Sequence, residues 1–127
     1  MKKLFLGLVI LSLSQVTLAE VYNCDVVEAK GEFSGATVAT VYINLDLDVE
    51  VNLPGANKSS VGLNGAEVKE SDNNNIYVKR YGPDGERRVF SLNNHGEGFL
   101  KLYDDTFFGL FGEMYASVKL VNCSQPQ

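Results

Sequence analysis

Cys24 and Cys123 are the only thiols in a chain of 127 residues, and two thiols permit one intramolecular pairing. A thioredoxin-like pair needs the CxxC spacing, and an ordinary zinc site needs more than the single histidine present. Neither condition is met, so the chemistry these residues offer is a disulfide. Closing a loop of about 100 residues contributes roughly 3–5 kcal/mol by restricting the unfolded chain.

His95 is the one ordinary general base near neutral pH, in the polar run Asn93-Asn94-His95-Gly96-Glu97-Gly98. A serine nucleophile would need it within hydrogen-bond reach, together with an orienting carboxylate. Ser91 and Glu97 are close in sequence but form no GxSxG motif. The expectation is a loop histidine without a catalytic role, and no catalytic residue is assigned. Asp46, Asp48 and Glu50 recur at every second position. On one face of a strand such neighbours lie about 6.8 Å apart. That row is too flat for calcium, which wants six to eight oxygens converging at about 2.3–2.6 Å. Residues 71–75 lack the glycine and terminal glutamate of an EF-hand, and the glycines around His95 do not form GxGxxG. No metal and no cofactor is expected.

The least ordinary stretch is residues 104–112, where Phe107, Phe108, Leu110 and Phe111 crowd together, interrupted by Gly109 and followed by Gly112. Two readings stay open. These aromatics cap the core, or they project as a contact surface, since aromatics anchor interfaces and glycines allow close approach. Phe107, Phe108 and Phe111 are the candidate binding residues. Arg87 and Arg88, with Lys79 and Arg80 across a hairpin, form a small basic patch. Pairing with Glu86 and stacking on Tyr77 and Tyr81 would account for it.

The elements that must position these residues are strands. From residue 41 to 53 the odd positions are Val, Ile, Leu, Leu, Val, Val and Leu, and the even ones are polar or Tyr. That period of two reads as a half-buried strand, about 43 Å long if straight, which would bend midway to serve two neighbours. Further strands are expected over residues 21–28, 61–63, 66–69, 76–81, 86–92, 99–103 and 113–122. Asn64-Gly65 and Gly82-Pro83-Asp84-Gly85 supply the turns of two hairpins. On the last strand Met114, Ala116, Val118 and Leu120 share one face, with Tyr115, Ser117, Lys119, Val121 and Cys123 on the other. A short helix around residues 105–111 would fit, and no other helix is legible. Seven to eight short antiparallel strands imply an all-β fold, a small barrel or sandwich tied by one disulfide. First and last strands lying side by side would bring Cys24 to Cys123 and close an edge.

Residues 1–19 read as a signal peptide. Lys2 and Lys3 precede an apolar run over residues 4–13, and Thr17 and Ala19 are small where a signal peptidase reads. The run is too short for a span of about 20 residues, and no second one follows. Residues 20–127 are then a single β domain, expected in the periplasm or outside the cell, where a disulfide persists. Loss of Lys2 and Lys3 leaves 9 basic against 16 acidic side chains, a formal −7 where the full chain carries −5. Such a balance disfavours nucleic acid and anionic membranes and is compatible with a cationic partner.

Tyr22-Asn23-Cys24 near the mature start, a β-only body and a late cysteine resemble the periplasmic inhibitors of c-type lysozyme. That resemblance implies an eight-stranded barrel. Those inhibitors are most alike in a Ser-Gly loop that enters the enzyme's groove. Phe33-Ser34-Gly35-Ala36 and Lys58-Ser59-Ser60 do not match it, so no functional residue carries over. The leading expectation is a non-enzymatic exported domain that binds a protein or a small apolar ligand. A small hydrolase using carboxylates and a structural envelope component are the alternatives.

Overall fold

The structure, a computed structural model, describes residues 20–82, 85–105 and 112–126. Among these residues nine strands form one antiparallel sheet: β1 (Glu20–Gly31), β2 (Val38–Ile43), β3 (Val49–Asn52), β4 (Ser60–Gly62), β5 (Val68–Ser71), β6 (Asn75–Tyr81), β7 (Glu86–Asn93), β8 (Gly98–Asp104) and β9 (Glu113–Ser124). Their order across the sheet is β4-β3-β2-β1-β9-β8-β7-β6-β5. The sheet curls into a half-barrel, because its inward residues can leave water only by facing one another. Val41, Val51 and Val61 align across β2, β3 and β4, and Val78, Phe90, Leu100 and Val118 across β6 to β9. Both rows belong to one buried cluster. The all-β expectation holds, with nine strands rather than seven or eight.

Residues 41–53 are not one bent strand but a hairpin. β2 and β3 pair Ile43 with Val49 and Thr40 with Asn52, so the chain reverses around Asp46. Asn44 drives the reversal. Its side-chain oxygen accepts the backbone N–H groups of Asp46 and Asp48 at 2.9 and 3.0 Å, and its own N–H reaches the Asp48 carbonyl. Leu47 takes a left-handed φ of 59° to complete the turn. The loop is odd in length, so odd-numbered residues face inward on both arms and the alternation runs on unbroken. Leu45, at the turn, is 74% exposed. The Asp46, Asp48 and Glu50 row is therefore not a strand face. Asp46 and Asp48 lie in the turn, and Glu50 on β3 accepts a bond from Ser60 Oγ at 3.3 Å.

Asn64 and Gly65 also do something other than turn a hairpin. β4 pairs with β3 and β5 with β6, so residues 63–67 link the two outer strands of the sheet. Side chains tie the same gap. Arg88 donates to the Gly62 carbonyl at 2.7 Å, and Lys69 to the Asp46 carbonyl and the Asp48 carboxylate at 2.8 and 3.2 Å. The Gly65 N–H, joined by Asn44 and Lys69, holds the Asp48 carboxyl below the usual range against a smaller opposing effect of burial.

Cys24 and Cys123 form the expected disulfide, with Cα atoms 4.1 Å apart across a sequence separation of 99. β1 and β9 do lie side by side, but in the middle of the sheet. The bridge closes the chain and not an edge. A bulge on β9 sets Asn122, at φ 55°, and Cys123 against the single residue Cys24, and lets Cys123 pack toward the core. A second bulge on the β8–β9 pair shifts phase at the other end: Met114 is 47% exposed and Tyr115 packs against the core, the reverse of the expected faces.

Candidate functional site

The outward residues of β6, β7, β8, β9 and β1 form rows that sequence distance conceals. Tyr77, Ser91, Phe99, Lys119 and Val27 stand opposite one another across five strands. The next row holds Lys79, Val89, Lys101, Ser117 and Lys30, and a third holds Tyr81, Arg87, Tyr103 and Met114. Cations and aromatic rings interleave here on a molecule that is acidic overall. Lys101 Nζ lies 4.5 Å from the centre of the Phe99 ring, Lys79 Nζ 5.6 Å from that of Tyr81, and the Arg87 guanidinium 4.0 Å from that of Tyr103.

Arg87 is already neutralised. It makes two bonds to Asp105, at 2.8 and 3.2 Å, which push the guanidinium pKa up and hold Asp105 below the usual carboxylate range. Lys30, Lys101 and Lys119 form no ion pair among the described residues. Together with Phe99, Ser117, Glu28 and Glu97 they line a groove of about 460 Å³. Ser117 is the one buried polar residue among those described, 9% exposed, and its hydroxyl has no hydrogen-bond partner among them. A buried hydroxyl without a partner is uncommon, and this one opens onto the groove.

The residues singled out from sequence fare unevenly. Phe107, Phe108 and Phe111 lie outside the described residues. His95 is exposed in the β7–β8 turn, where its backbone N–H donates to the Asn93 side-chain oxygen at 2.9 Å. The Ser91 hydroxyl donates to Asn75 at 3.1 Å, and no Ser–His bond forms. Among the described residues, no three His, Cys, Asp or Glu side chains converge to hold a metal ion, and no helix is long and apolar enough to cross a membrane. The basic patch divides between the two faces of the sheet. Arg88 pairs with Glu86 at 2.6 Å, directed inward with Phe90 and Leu92. Burial raises the Glu86 pKa, yet hydrogen bonds from Tyr115 and Arg88 outweigh it and leave Glu86 below its ordinary value. Arg87 stacks on Tyr103 in place of Tyr77 or Tyr81.

Lys30, Phe99, Lys101, Ser117 and Lys119 were not legible as a site. Alternation marks residues 99 and 101 as outward once residues 100 and 102 are taken as core. It does not say that β8 lies beside β9, nor in which register β9 meets β1. No protein-family model matches the chain, and comparison with curated proteins and with solved structures likewise finds no match. The site therefore rests on its own geometry.

Proposed function

We propose that this chain is a non-enzymatic exported domain that binds its partner through the outer face of β7, β8, β9 and β1. One observation carries the reading: the groove that joins Phe99 to three lysines without an ion pair, and to a buried Ser117 hydroxyl without a partner, among the described residues. Binding sites combine apolar contact with a few placed polar groups, and this groove has both. The exposed position of His95 and the engagement of Ser91 with Asn75 favour binding over hydrolysis. Export would remove residues 1–19 and place the disulfide in an oxidising compartment, the periplasm or the exterior.

The test compares the native protein with a Phe99→Ala/Lys101→Met variant of equal melting temperature. Each is used to capture material from the producing cell's own envelope, and intact mass reports whether the mature chain starts at Glu20. Capture that depends on the two side chains is the expected result. Equal capture by both proteins, or none by either, would count against a binding role for this face.

A further inference from the structure

We infer that the groove takes an acidic glycan, a linear sugar chain with one carboxylate on every second unit. This rests on the binding role proposed for the face and adds the ligand's chemistry. Lys101 on β8 and Lys30 on β1 flank Ser117 on β9 in one cross-strand row. Two strand spacings put the lysine Cα atoms about 10 Å apart. Carboxylates on alternate sugars of an extended chain repeat at close to that interval. The sugar between them would lie over Ser117, whose hydroxyl wants a small partner able to donate and accept, as a sugar hydroxyl does. Phe99 adds apolar surface for the C–H groups of a sugar, and the Lys101 ammonium, which lies over one face of its ring, sets a charge next to that surface.

Competing ligands fit less well. The groove carries three lysines and two glutamates, and that small excess of positive charge suits a sparsely charged chain. Stacked nucleic acid strands present a phosphate about every 3.4 Å, and the acidic body of the protein would repel so dense an array. An extended acidic peptide repeats its side chains on one face at about 6.8 Å, out of step with the lysine row. It would also gain most from an open strand edge, and the outer strands β4 and β5 lie away from the groove.

A hyaluronan octasaccharide is the probe, titrated by calorimetry and by amide chemical shifts at low salt. Saturable binding is expected, with shifts at Phe99, Lys101, Ser117 and Lys119. Lys30→Met and Lys101→Met each keep the apolar stem and should weaken binding about tenfold, the worth of one charge-assisted contact. Lys58→Met removes a charge outside the groove and should change nothing. The inference is overturned by absence of saturable binding, by equal affinity for a neutral cello-oligosaccharide, by tighter binding of a single-stranded oligonucleotide or an acidic peptide, or by lysine variants that bind like the native protein. If hyaluronan fails while envelope capture still depends on Phe99 and Lys101, the face binds something else and only the glycan assignment falls.

Discussion

Replacing both cysteines by alanine measures what the long covalent loop contributes. The bridge joins residues separated by 99 positions. For a closed loop of that size, chain entropy gives about 4.7 kcal/mol, and strain or residual structure in the unfolded chain reduces it to roughly 3–4 kcal/mol. The same pairing is the longest-range one in the sheet, since β1 and β9 are its first and last strands in sequence yet lie side by side. Without the bridge, that ladder must form against the full closure entropy. With a urea m-value of about 1–2 kcal/mol/M, the midpoint should fall by roughly 2–4 M. The folding rate should fall with it, because the cross-link holds together ends that must otherwise find each other. Urea titration and stopped-flow refolding of the native protein, its reduced form and the double variant give both quantities. A change under about 1 kcal/mol, with refolding rates unaltered, would refute the claim that the covalent loop is a principal source of stability.

Three further outcomes follow from particular contacts. Leu45→Asp should shift stability by no more than about 0.5 kcal/mol, whereas Leu53→Asp should abolish folding, because the first sits exposed in a turn and the second is buried; thermal melts that penalise both alike would restore a straight strand. Gly31→Ala should cost roughly 2–3 kcal/mol in urea titrations, since Gly31 holds φ +65° and an added Cβ would collide with the Tyr115 backbone carbonyl oxygen. Asp48, Glu86 and Asp105 titrate below their ordinary values in the folded protein, so their stabilisation is complete above the unfolded range near pH 4 and is lost as pH falls through the folded pKa values. The urea midpoint should therefore drop between pH 5 and pH 3, and less so in Asp48→Asn; the same drop in that variant would show that the Asp48 contacts do not contribute.

Residue periodicity determined a good deal. A side-chain period of two fixes which residues of a strand share a face, so the inward sets on β2, β3, β6, β7 and β8 follow from hydrophobic alternation alone. With two cysteines the pairing needs no structure either. The β2–β3 reversal was invisible for a definite reason: an odd-length turn preserves parity, so a hairpin and a straight strand have the same alternating pattern. Only the fold decided the other strand neighbours and the registers, because hydrogen-bond ladders join segments far apart in sequence. It put β1 beside β9 in the middle of the sheet and left β4 and β5 at its edges. Bulges then shifted phase at Glu28, Met114 and Asn122, where alternation taken by itself assigns the wrong face or none. The candidate groove is a product of that same registration. Lys30, Phe99, Lys101, Ser117 and Lys119 come from three strands, and no local spacing announces that they meet.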